Sequence, residues 1–275
     1  MRFRTASAVG LLGLAALGVL WAQKPFKEWP AIEYSNFPIP PDAKKPAEWT
    51  RARLRYPDVT GYGLAGSGRF FGFAGYWTMD YPRSDRHLLT GVRRLTRIDA
   101  RSLEQVVELD GSDEIYNWPI AYAAEVGHWN LPFDEAEQLR EYLLRGGFLM
   151  VDDFHASQEW SIFMDSLRRV FPDSFVADIP NNDPIFHTVY DSNDRVQIPG
   201  AQYLETGRTY ERDETGRPEH WRAVYDSKGR IMVAICHNMD LGDAWEHSDN
   251  PEYPEKWASL AYRVGMNYFI YDLTH

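Results

Sequence analysis

The stretch Gly146-Gly147-Phe148-Leu149-Met150-Val151-Asp152-Asp153-Phe154-His155 constrains the fold more than any other part of the chain, because a short apolar run ends abruptly in two carboxylates and an imidazole. A helical pattern precedes it. Phe133, Ala136, Leu139 and Leu143 fall at helical spacing over residues 132–145, Pro132 suits the first turn, and Gly146 suits the left-handed position after the last. An apolar run in that setting reads as a strand buried on both faces of a parallel sheet. Open sheets of this kind bind ligands just beyond the carboxyl ends of their strands. Asp152, Asp153 and His155 are therefore the candidate catalytic residues. Neighbouring carboxylates resist double ionisation unless a cation or a shared proton relieves them, so the trio suits either a divalent metal or general acid/base work. Consecutive residues at a strand end point in opposite directions, so one of Asp152 and Asp153 is expected to face the cleft while the other caps a helix or pairs with an arginine.

The pattern elsewhere alternates. Residues 49–56, 105–109 and 120–126 read as strands; 84–97 reads as a helix with Ser84 as N-cap; 159–171 reads as a helix with Trp160, Phe163, Met164, Leu167 and Phe171 on one face. Residues 221–226 and 230–237, joined by Asp226-Ser227-Lys228-Gly229, read as a hairpin, and 255–271 as a closing helix. Strands alternating with helices imply an α/β protein, a three-layer, doubly wound and mostly parallel sheet, in a single domain over 49–275.

Ahead of that domain, Arg2 and Arg4 precede an apolar run that ends near Ala22, the pattern of a secretory signal over residues 1–22. An uncleaved N-terminal membrane anchor is the alternative, since the run is just long enough to span a bilayer. The expected location is exported, periplasmic or extracellular, with no membrane contact beyond this segment. Residues 23–48 are rich in proline and carry Trp29, Tyr34 and Phe37, which predicts an extended arm whose aromatics pack on the body. The chain carries a net charge of −11, and loss of the first 22 residues removes two arginines and no acid. Such a surface disfavours nucleic-acid binding. One cysteine, Cys236, excludes an internal disulfide; its place inside an apolar strand suits a small buried hydrophobe.

Other candidates lie after other strands. Asp240-Leu241-Gly242-Asp243-Ala244-Trp245-Glu246-His247 offers Asp240 and Asp243 as ligand-binding residues and Glu246 and His247, with Asp153 and His155, as possible metal ligands, although the spacing matches neither a calcium loop nor a zinc pair. The same acids also suit turn capping. His128 follows another strand end, and Arg83 and Arg86 near a helix start suit an anion. Gly61-Tyr62-Gly63-Leu64-Ala65-Gly66 has the dinucleotide spacing, but Ser67-Gly68-Arg69-Phe70-Phe71-Gly72 follows instead of a helix, so the phosphate site is rejected. If the two acidic segments both follow parallel strands, Asp240 or Asp243 should approach Asp153 or His155 to within about 10 Å; an antiparallel late hairpin would put them on opposite edges.

Four stretches together resemble the bacterial domain of unknown function 4159 family: Asp80-Tyr81-Pro82 with Ser84-Asp85-Arg86-His87-Leu88, the segment from Tyr142 to His155, Pro184-Ile185-Phe186-His187, and the segment from Asn238 to His247. The resemblance implies a fold similar to class I glutamine amidotransferases, of flavodoxin type, and no particular reaction. In that fold the nucleophilic cysteine sits on a sharp turn after a central strand, and the corresponding Asp152-Asp153-Phe154-His155 has none. Thiolate chemistry is thus not expected. The leading expectation is a non-catalytic module binding an envelope ligand or protein, and the alternative a metal-dependent or acid/base hydrolase acting on an envelope carbohydrate or peptide.

Overall fold

Strands that are apolar on both faces need helices on both sides, and the chain supplies them. The computed structural model describes residues 25–31, 33–34, 37–59, 75–173 and 175–275. The proposed signal segment and the glycine-rich stretch 61–72 lie outside the described residues. In chain order the elements are β1 (Ala52–Arg55), α1 (Arg83–Leu95), β2 (Gln105–Glu108), β3 (Ile120–Ala124), α2 (Phe133–Leu144), β4 (Phe148–Asp152), α3 (Ala156–Val170), β5 (Val176–Asp178), α4 (Gln202–Thr206), β6 (His220–Tyr225), β7 (Ile231–His237), α5 (Leu241–Glu246) and α6 (Glu255–Thr274). The strands form a seven-stranded sheet in the order β2-β1-β3-β4-β7-β6-β5. From β2 to β7 the neighbours are parallel; β6 and β5 extend that edge in antiparallel fashion.

Alternate residues of the central strands feed two cores. Leu149 and Val151 of β4 join Val233 and Ile235 of β7 against Leu139, Phe163 and Leu167 of α2 and α3. Phe148, Met150, Ala234 and Cys236 face the other way, onto Leu88, Trp245, Val264 and Tyr268 of α1, α5 and α6. Full burial of such side chains stabilises by about 1.5–3 kcal/mol each. Among the described residues, no helix is long and apolar enough to cross a membrane.

Several boundaries differ from the sequence pattern. The 49–56 strand is shorter, with Trp49 reduced to an isolated bridge to Ala100. Ser84 is no N-cap: α1 starts at Arg83 after Pro82, and the Ser84 hydroxyl accepts from Arg51 Nη1 at 3.5 Å instead. Helix α3 begins at Ala156, three residues early, and residues 241–246 form helix α5 where ligand-bearing loop was expected. The hairpin turn stands as expected, with Gly229 at φ 86° and Asp226 N donating to Arg230 O.

The arm packs on the body through its aromatics and acceptors. Trp29 sits edge-on to Trp77 at 5.9 Å, and Arg86 Nη1 donates to Phe37 O and Pro38 O at 3.1 and 3.0 Å.

Candidate functional site at the carboxyl edge

Four adjacent parallel strands deliver acids to one edge. Asp80 lies between β1 and α1, Glu125 and His128 follow β3, Asp153 and His155 follow β4, and Asp240 follows β7. Asp80, Glu125 and Asp153 each adopt a left-handed backbone, at φ 59°, 52° and 53°. Such conformations cost about 1–3 kcal/mol each for residues with a side chain and collect where a site imposes them. Backbone hydrogen bonds stitch the loops together: Asp153 N donates to Met239 O and Asn238 N to Phe154 O, both at 3.0 Å, while Ala156 N reaches Asn238 Oδ1 at 2.8 Å. Because β7 runs parallel to β4, the loop after it lands beside Asp153 and not on the far edge.

Asp152 and Asp153 divide as strand geometry requires. Asp152 Oδ2 accepts from Leu241 N at 2.7 Å and Gly242 N at 3.1 Å, so this fully buried carboxylate caps helix α5. Burial raises it to about 6, against the opposing pull of the Tyr122 hydroxyl, Arg51 and the two amides. Asp153 turns into the acidic edge, where ligand oxygens of Asp80, Asp153 and Asp240 all lie within 4.8 Å of one another. All three residues are buried. Burial and then neighbouring acids push each well above the usual carboxylate range: Asp243 and Glu246 act on Asp80, Glu125 and Asp80 on Asp153, Asp153 and Asp243 on Asp240. Among the described residues no lysine or arginine pairs with any of the three.

Two glycines make the crowding possible. A Cβ on Gly242 would stand 2.1 Å from Asp80 Oδ2, and one on Gly200 would stand 2.6 Å from Asp240 Oδ2 and 2.8 Å from Asp243 Oδ2. Asp240 also caps α5, its side chain accepting from Asp243 N at 2.7 Å.

His155 Nε2 lies 3.2 Å from Asp153 Oδ1 and 3.9 Å from Glu211 Oε1. Two acids this close favour a charged imidazole, but burial and the nearby Arg212 push the ring down to about 3. Burial penalises the charged form of both partners, raising Asp153 and lowering His155. Glu211 is raised to about 7, chiefly by burial.

A second group adjoins the first. Glu125, His128 and Glu159 offer atoms within 4.8 Å of one another, and His128 stacks on Tyr76 at 3.8 Å. Arg212 already occupies it, donating to Glu159 Oε1 at 2.6 Å. Here a guanidinium does what a cation would do.

These positions correct the sequence reading in three places. Arg86 is taken up within the protein: its guanidinium is buried against the Glu104 carboxylate and two carbonyls of the arm. Arg83 is engaged by the Tyr34 hydroxyl at 2.9 Å and by Asp249 at 2.5 Å. The proposed metal set of Asp153, His155, Glu246 and His247 does not converge as one group. Glu246 and His247 gather with Asp243, while Asp153 gathers with Asp80 and Asp240. The sequence pattern does not mark Asp80 as a ligand, although Asp80-Tyr81-Pro82 stands out just before a helix, and Glu33, Glu125 and Glu159 carry no local signal.

A family model described as domain of unknown function (DUF4159) matches residues 62–273. The chain belongs to this family. All four motifs quoted from the sequence fall within that span, as do Asp80, Asp153 and Asp240 of the acidic edge. No match is found among curated proteins. In this DUF4159 chain Cys236 is wholly buried in β7, its Sγ 4.0 Å from the Tyr268 hydroxyl, and burial pushes its thiol well up.

Proposed function

We propose that this chain is an exported envelope protein of class I glutamine amidotransferase-like fold that holds a divalent cation on Asp80, Asp153 and Asp240 and uses it to hydrolyse an envelope carbohydrate or peptide. The observation that carries this reading is the meeting of three buried carboxylates from three separate segments of the chain within 4.8 Å. Hard oxygen ligands suit magnesium, calcium or manganese. The order β2-β1-β3-β4 with β7 in fifth place supports a flavodoxin-type sheet, whose ligands sit at the carboxyl edge. A cation there would lower the pKa of its water. His155, hydrogen-bonded through Nε2 to Asp153 Oδ1 at 3.2 Å, would orient that ligand carboxylate.

A non-catalytic binding module is the second reading, favoured by the arm: Asp80 N donates to Glu33 Oε2 at 3.1 Å, and the Tyr34 hydroxyl bonds Glu246 Oε1, so the arm reaches onto the acids. Incubation of the purified chain with peptidoglycan fragments and oligosaccharides, with manganese or with chelator, separates the two. Cation-dependent products lost in Asp240→Asn support the hydrolase. Cation binding without products in any mixture supports the module. A chain that binds no divalent cation overturns the cation site.

A further inference from the structure

Asp80 belongs to two carboxylate groups at once. Besides its set with Asp153 and Asp240, it gathers with Glu33 of the arm and Glu246 of α5, again with ligand atoms within 4.8 Å of one another. We infer that Glu33, Asp80 and Glu246 form a second divalent-cation position, joined to the first through a bridging Asp80 carboxylate and completed by the arm. This deepens the cation reading above and rests on it.

Two atoms point to a ligand independently of the acid count. Asp80 Oδ2 and Glu246 Oε2 are buried with no hydrogen-bond partner, in residues 1% and 2% exposed. Buried carboxylate oxygens normally have donors, and leaving one without costs about 1–3 kcal/mol or more when charged. Most donors nearby are spent elsewhere, and the two that are not, Arg53 Nη2 and the Tyr122 hydroxyl, bond to neither oxygen. The Asp80 amide goes to Glu33 Oε2 and the Tyr34 hydroxyl to Glu246 Oε1. Arg83 goes to Tyr34 and Asp249, and Arg53 to Asp85 and to the carbonyls of Trp77 and Met79.

The local charge favours cations. Asp153, Asp240, Asp80, Glu33 and Glu246 carry five negative charges when ionised, with Asp152 and Asp243 beside them, and two divalent cations offset four. Beneath them, buried Arg51 and Arg53 share the single carboxylate of Asp85 at 3.1 and 2.8 Å, which leaves one surplus positive charge. Arg53 acts electrostatically on both Asp80 and Glu33. A carboxylate shared between two neighbouring cations is the arrangement that places them about 3.5–4 Å apart, as in two-metal hydrolytic sites. The chemistry called for is a pair of hard divalent cations, with Glu33 present only while the arm is docked.

The test is manganese binding by the full chain, read by calorimetric stoichiometry and by electron paramagnetic resonance. The expected result is two manganese ions per chain with an exchange-coupled spectrum. Glu246→Gln and Glu33→Gln should each leave one ion and restore the uncoupled six-line signal, while Asp80→Asn should remove both. One ion per chain, lost in Asp240→Asn and unchanged in Glu246→Gln and Glu33→Gln, overturns the second position and leaves the first. No ion in the unmodified chain overturns both, and the orphaned oxygens are then held by protons.

Discussion

Replacing Asp152 separates a helix cap from a cation ligand, two roles that its position beside Asp153 leaves open in the sequence. Its Oδ2 takes the Leu241 and Gly242 amides at 2.7 and 3.1 Å inside the core. Asp152→Ala leaves both donors without an acceptor, at about 1–3 kcal/mol each. Asp152→Asn keeps an oxygen of the same reach, so the alanine variant should be less stable than the asparagine variant by about 2–6 kcal/mol. Comparing the two variants removes the cost of burying the charge, which weighs on the unmodified chain alone. Urea unfolding with an unchanged m value reads the difference directly. Asp152→Asn should also hold manganese within about threefold of the unmodified chain, a change of about 0.7 kcal/mol. Equal stability of the two variants would refute the capping role. Loss of manganese from a folded Asp152→Asn would make Asp152 a ligand.

Three further outcomes follow from separate contacts. Gly242→Ala puts a Cβ 2.1 Å from Asp80 Oδ2, so calorimetry should find manganese affinity reduced at least about tenfold, together with about 1–3 kcal/mol of overpacking; unchanged affinity would mean that Asp80 is no ligand. Cys236→Ala should cost about 1–2 kcal/mol in urea unfolding and leave manganese binding as it was, whereas loss of an otherwise intact activity would revive thiolate chemistry. Asp272, far from this edge, is raised by burial to about 7, with Arg230 opposing. A raised acid contributes stability that is full below its unfolded value near 3.8 and is lost as pH rises through about 7. Asp272→Asn should therefore gain on the unmodified chain between pH 4 and pH 8, and a pH-independent difference would contradict the shift.

Local pattern carried much of this molecule. The Gly146 to His155 segment showed strand β4 and the carboxyl edge because a strand buried on both faces has a recognisable run, and the hairpin turn announced β6 and β7. The meeting of Asp153 with Asp240 followed once β7 proved parallel to β4. Asp80 and Glu33 are not legible, because their place depends on how segments distant in sequence meet at the sheet edge, which no short-range period encodes. Strand β1 misleads for a different reason. Its polar/apolar alternation ordinarily marks a solvated face, yet Arg51 and Arg53 are fully buried against Asp85, and Arg51 lies 3.6 Å over the Tyr122 ring. Charge pairing across elements, invisible in one strand, decided that face.

Anomalous diffraction from manganese-soaked crystals tests the central claim most directly. The account predicts a peak among Asp80, Asp153 and Asp240, at about 2.0–2.6 Å from their oxygens. An ordered water or nothing at that point, with the three carboxylates unmoved, would contradict it.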